Sequence, residues 1–179
     1  DMNGGRVDLL VILGGNPVYT APADLAFGTA MEKVQTRVHL SEFVDETSEL
    51  CHWQIPQAHF LESWGDTRAV DGTASIVQPL IAPLYGGRSA HEVLAVFSDK
   101  PEQSAYDLVR TYWSAQPAAG GEFDTAWRRW LHDGIIPGTA FEPKTVTLAE
   151  GAAAAPSEAA GTGLAVSFRP DPAVYDGRF

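Results

Sequence analysis

Five histidines, one cysteine and a scatter of acids are the residues of this chain whose types could do chemistry. Glu49-x-x-His52 and His59-x-x-Glu62 have the i, i+3 spacing of helical metal ligands. Each pair occurs once and Pro56 stands between them, whereas a metal site needs three or four converging donors. Structural or surface roles are therefore favoured, and no metal site is expected. Cys51 beside His52 has the outline of an activated nucleophile. Nothing nearby in sequence would depress its pKa, so an inert buried thiol is the better expectation. Glu62 lies in the apolar setting Phe60-Leu61-Glu62-Ser63-Trp64-Gly65, where a carboxylate must be paired. A structural clamp is favoured over a catalytic acid. No Ser–His–Asp order or paired-carboxylate spacing stands out, so no catalytic residue is assigned. Trp113, Trp127 and Trp130 read as helix-packing residues, with an exposed ligand stack as the lesser alternative.

The turn Gly14-Gly15-Asn16-Pro17 is the remaining candidate. It follows the apolar run from Leu9 to Leu13, which has no polar alternation and so reads as a strand buried on both faces of a parallel sheet. Ligands of open α/β sheets sit outside the carboxyl ends of such strands. The turn is neither GxGxxG nor a P-loop. Its plain reading is a tight strand-to-helix connection. Its functional reading places backbone N–H groups and Asn16 against a phosphate or ribose near the helix start.

The elements that must position these groups follow along the chain. Residues 20–24 start a helix, with Pro22 in its first turn and Asp24 at the positive end of its dipole. Ala23, Ala26, Phe27, Ala30, Met31 and Val34 keep one helix face. A strand over 37–41 completes a right-handed βαβ unit. Asp45 caps a short helical turn through Leu50, and Trp53, Ile55, Phe60 and Leu61 suggest short extended pieces around Pro56. Asp71-Gly72 is a turn before a strand over 75–78. Ser89 and Glu92 form a capping box, with Ala90, Val93, Leu94 and Phe97 behind it. One further helix presents Ala105, Leu108, Val109, Tyr112 and Trp113; the next presents Phe123, Ala126, Trp127, Trp130 and Leu131 and stops at Gly134. Residues 116–121 form a loop between the two. Residues 150–163 read as a mobile Ala/Gly/Ser/Pro linker, and 164–168 as a last strand. The expected domains are an α/β core segment over 1–98, a helical appendage over 99–143, and a linker with a final strand over 144–179. Residues 7–98 should then make a mainly parallel core on which the Trp-bearing helices pack, an arrangement that a solvent-facing edge position for residues 9–13 would contradict.

Composition narrows the function classes. A net charge of -11 argues against nucleic acid and against adsorption to an anionic membrane. No apolar stretch approaches the roughly 20 residues that span a bilayer. One cysteine excludes an internal disulfide and a Cys-rich cluster motif within these residues. The start at Asp1 and the stop at Phe179 suggest a piece of a longer polypeptide.

Leu13-Gly14-Gly15-Asn16-Pro17, Asp45-Glu46-Thr47 and the stretch from Ile55 to Gly65 (IPQAHFLESWG) together resemble a late core segment of the molybdopterin oxidoreductases, in matching order over residues 7–98. Residues 78–89 (QPLIAPLYGGRS), with His132-Asp133-Gly134, are similar to the large molybdopterin-like, iron–sulphur subunit of alternative complex III, a membrane-associated quinol-oxidising assembly. The resemblance implies an α/β, Rossmann-like, mainly parallel sheet core within a larger chain. It implies that Gly14, Gly15, Asn16, Pro17, Ser41 and Glu42 lie toward the dinucleotide part of a pterin cofactor, as a vestigial or weak site. Cofactor-binding members carry Lys where Ser63 stands, and an acid where Ala90 follows Arg88-Ser89. Both departures remove polar contacts to the cofactor.

The resulting expectation is a segment of an oxidoreductase-like electron-transfer subunit acting as a scaffold without molybdopterin. Iron–sulphur clusters would lie elsewhere in the full chain, other subunits of the complex would be its partners, and its place would be peripheral on the periplasmic side of the cytoplasmic membrane. One alternative is a segment that holds molybdopterin guanine dinucleotide through Asn16, Ser41 and Glu42. The other is a stand-alone nucleotide-binding module.

Overall fold

The computed structural model describes residues 1–119, 121–149, 163, 164, 166 and 173. The chain divides into two compact units, 1–142 and 143–179. In the second unit, residues 143–149 are exposed and in neither helix nor strand. The linker expected over 150–163 and the strand expected over 164–168 lie, apart from Gly163, Leu164 and Val166, outside the described residues.

The first unit is an α/β fold with a three-stranded parallel sheet. The strands β1 (Leu9–Leu13), β2 (Thr36–Ser41) and β3 (Trp53–Pro56) lie side by side in that order. The register aligns Val11 with Val38 and Val38 with Trp53. Between β1 and β2 run α1 (Pro17–Thr20), a 3-10 turn (Ala23–Leu25) and α2 (Phe27–Glu32); α3 (Glu46–Glu49) joins β2 to β3. Asp45 caps α3 as expected, its carboxylate accepting the Ser48 N–H at 2.9 Å.

Two sequence expectations are corrected here. The helix read from residue 20 onward is broken, because Ala26 adopts a left-handed conformation with φ of 45°. The 3-10 turn closes on Ala26 and α2 begins from its carbonyl, so two short pieces share one apolar spacing. That conformation costs an alanine about 1–2 kcal/mol. The second correction concerns β1, which is an edge strand rather than one buried on both faces. Leu9 is 46% and Leu13 39% exposed. An unbroken apolar run is buried on both faces only where a layer covers each face of the sheet, and among the described residues β1 lies at the sheet margin with β2 as its strand neighbour.

The second layer is built on an antiparallel hairpin, β4 (Gly65–Arg68) and β5 (Ala74–Val77). Its turn contains Asp71 and Gly72, with Gly72 N–H donating to the Ala69 carbonyl. The two long amphipathic helices, α5 (Ala105–Ser114) and α6 (Phe123–Asp133), pack against this hairpin. Ala74 and Ile76 of β5, Val109 and Trp113 of α5, Trp127 and Trp130 of α6, and Ile136 form one buried cluster. Trp64, Tyr106 and Phe123 ring it in edge and stacked contacts. The tryptophans thus serve packing, against the hairpin and not against the parallel sheet.

The chain returns to the parallel sheet once more. Arg88 pairs alongside the end of β3, its N–H donating to the Pro56 carbonyl at 2.8 Å and its carbonyl accepting from Ala58 N–H at 3.0 Å. Ser89 then caps α4 (Ala90–Ala95) with both halves of its capping box present. On α4, Val93 and Ala95 are buried while Leu94 is exposed, as is Phe97 just beyond it.

Candidate functional site

The carboxyl ends of the three strands bring the sequence candidates into one row. Gly14 and Gly15, both at φ of 72°, turn the chain away from β1 in a conformation that side-chain-bearing residues seldom adopt. The Gly14 N–H donates to the Leu40 carbonyl at 2.8 Å, which ties the turn to β2. Pro17 opens α1, where a missing N–H costs nothing. Ser41 ends β2 and is buried, its hydroxyl oxygen accepting weakly from Phe43 N–H at 3.4 Å. Glu42 follows it and is exposed.

Asn16 is where the geometry departs from a ligand-facing side chain. Only 6% exposed, it receives the Thr47 hydroxyl on its carbonyl oxygen at 2.7 Å and donates its amide to Glu46 at 2.5 Å. Thr47 in turn accepts the Val18 N–H at 3.0 Å. Both ends of the Asn16 amide are thus used to hold the turn against α3.

Beneath the turn lies His39, a residue that motif reading did not single out. It is fully buried on β2. Its Nε2 is 2.9 Å from the Gly15 carbonyl oxygen; a carbonyl only accepts, so that nitrogen carries the proton. Its Nδ1 faces Ser48 Oγ at 2.9 Å, and Asp45 lies 3.5 Å away. Ser48 also reaches Asp45 at 3.0 Å. The signal available in the sequence was a histidine flanked by Val38 and Leu40, polar in the middle of an otherwise apolar strand.

Ser63 and Ala90, the two departures from the cofactor-binding pattern, line one recess of about 190 Å³. Gln57, just past the end of β3, lines it too, and its Oε1 would lie 3.4 Å from a Cβ placed on Gly14. The titratable groups of this recess are Asp66 and His91, an Asp–His pair at 3.4 Å. Asp66 also accepts the Trp113 indole N–H at 2.9 Å. Its carboxyl is held below the ordinary carboxylate range, first by the His91 hydrogen bond and, against the cost of burial, also by Trp113. Arg88, the cation nearest in sequence, is engaged by Glu92 at 3.3 Å.

The other candidates resolve into structural parts. His52 Nδ1 accepts the Arg37 N–H and His59 Nδ1 accepts the Leu61 N–H. Glu62 accepts the His59 N–H at 3.3 Å, a local clamp. Burial pushes the Cys51 thiol up, away from nucleophilic character. Among the described residues no group of three or more His, Cys, Asp or Glu could hold a metal ion. No helix among them is long and apolar enough to cross a membrane.

In class, this is an α/β domain whose strand ends carry a glycine turn and a polar row. No family model matches the chain. It is similar to the menaquinone reductase, molybdopterin-binding-like subunit, of Nitratidesulfovibrio vulgaris (strain Hildenborough): 28% identical over 171 residues, which is 90% of this chain and 21% of that protein. The chain therefore spans about a fifth of the length of this relative. The similarity supports a molybdopterin oxidoreductase-like relationship.

Proposed function

We propose that this chain serves as an α/β scaffold and interaction domain within an oxidoreductase-like electron-transfer subunit, and that it does not itself hold a molybdopterin guanine dinucleotide. The observation that carries the reading is the internal engagement of Asn16 by Thr47 and Glu46. A dinucleotide pyrophosphate needs donors and positive charge at the strand ends. This row offers an exposed Glu42, a recess with Ser63, Ala90 and Asp66, and a nearby Arg88 already engaged by Glu92. The donor set does not fit a polyanion, and the net charge of -11 adds no general attraction. Each missing charge-assisted hydrogen bond is worth about 1.5–3 kcal/mol, so two would weaken binding roughly a hundredfold or more.

On this reading the partners are other subunits of a multi-subunit complex, as the name of the relative suggests for that protein. The finer assignment is to an assembly of the alternative complex III type, peripheral on the periplasmic side, with iron–sulphur clusters elsewhere in the full chain. The test is metal and pterin analysis of the full-length protein purified from its native host. The expected result is no stoichiometric molybdenum or tungsten. Either metal at stoichiometry, together with a fluorescent oxidised pterin, would overturn the scaffold reading in favour of a cofactor-holding segment.

A further inference from the structure

The topology of the parallel sheet leaves one face short of cover. With β1, β2 and β3 parallel and adjacent in order, two right-handed crossovers put α1, α2 and α3 on the same side. Side chains agree: on β2, Arg37 donates to the Leu50 and Val34 carbonyls and His39 reaches Ser48. The alternate residues Val11, Val38, Trp53 and Ile55 therefore look the other way. Across from them, among the described residues, stand α4, six residues and about 9 Å long, and the segment that follows it through Gln103. Between α4 and the sheet runs an apolar groove of about 460 Å³. Trp53 is 68% exposed there, and Val96 and Phe97 are 61% exposed each.

We propose that this groove receives an amphipathic α-helix from a partner polypeptide, with its apolar stripe inward and a basic flank beside Glu102. Three observations choose this occupant. A parallel sheet is stable with both faces covered, and the slot beside α4 is the place of a neighbouring helix in such a layer. The groove floor offers apolar side chains rather than free backbone groups, so the occupant must satisfy its own backbone, as a helix does. Of the charges lining the groove, Arg88 and Glu92 engage one another while Glu102 is exposed. The uncompensated rim charge is negative, which favours a basic flank and disfavours a second copy of a chain that carries -11. The inference rests on topology and holds whether or not a pterin is bound.

The test uses the 179-residue chain and a fluorescein-labelled Leu/Lys peptide about 18 residues long, five helical turns with Leu in one stripe. Comparison peptides are its shuffled isomer and a Leu/Glu version. Phe97→Glu and Val96→Glu alter exposed groove walls, and Leu84→Glu alters an exposed apolar residue outside the groove. Circular dichroism checks that each variant is folded, the two wall variants standing in for one another. The Leu/Lys helix should bind in anisotropy titrations, with the shuffled and Leu/Glu peptides about tenfold weaker or worse. The wall variants should weaken it about tenfold despite adding negative charge, and Leu84→Glu should leave it unchanged. Absence of binding, equal binding of the shuffled peptide, or equal loss from Leu84→Glu would overturn the proposal. So would a dimer in sedimentation that Phe97→Glu dissociates, because the groove would then belong to a second copy.

Discussion

The ring of His39 holds the carbonyl of Gly15 from below, Nε2 to oxygen at 2.9 Å, and so fixes the glycine turn to the middle strand of the sheet. Its other nitrogen meets Ser48, which places strand, turn and α3 under one side chain.

His39→Leu keeps the volume of the side chain but orphans the Gly15 carbonyl and frees Ser48 from its ring partner. Leaving buried polar groups unpaired costs about 1–3 kcal/mol each. Urea unfolding should show an unfolding free energy lowered by that order, with the midpoint falling accordingly, and an unchanged midpoint would mean the hydrogen bonds carry no net stability.

Asn16→Asp replaces an amide that donates to Glu46 with a second carboxylate at 2.5 Å from it. The variant should be destabilised by about 1–3 kcal/mol at neutral pH. Adding Glu46→Gln should recover much of the loss, since it restores a donor opposite the new carboxylate. A double-mutant cycle with no coupling would disprove the contact as an energetic tie.

Asp66 gives a pH dependence with a defined sign. Its folded-state pKa is lowered, chiefly by His91, so the stabilisation it provides is present above the unfolded value of about 3.9 and fades as pH falls through the folded value. The stability difference between the native chain and Asp66→Asn should therefore stay level from neutral pH to about pH 5 and shrink below about pH 4. A difference growing toward acid would reverse the assignment.

Gly87 is a position of close approach. A Cβ there would lie 2.8 Å from Ala58 N and 2.9 Å from Ala58 Cα, backbone that cannot swing aside. Gly87→Ala should cost about 1–3 kcal/mol. Faster amide exchange should appear at Ala58 and Arg88, whose pairing the intrusion pushes apart; protection as in the native chain would contradict this.

Local signals carried much of this fold. The Asp45 cap, the box of Ser89 and Glu92, the stop at Gly134 and the faces of α5 and α6 each depend on residues a few positions apart, and each is present. What distant neighbours decide was not legible. β4 has the composition Gly-Asp-Thr-Arg, without any apolar period, and is a strand because β5 pairs with it. The edge position of β1 depends on strand count, to which its own five residues are blind. In the candidate site, the glycine turn was legible from its composition. The spending of Asn16 on Thr47 and Glu46, some thirty residues away, was not. Nor was the meeting of Ser63 with Ala90 in one recess.

The return of the chain at Arg88 has a consequence for how the first unit comes apart. The polypeptide visits the parallel sheet, leaves for the β4–β5 hairpin, comes back to pair beside β3, and leaves again for α5 and α6. Sheet and hairpin layers are thus interleaved along the sequence, and neither is a continuous stretch that could be released by itself. Melting should accordingly appear as one cooperative step followed equally by tryptophan fluorescence and far-ultraviolet dichroism. A nick between Ala95 and Ala105 should yield two halves that stay associated, each lacking a part that the other supplies.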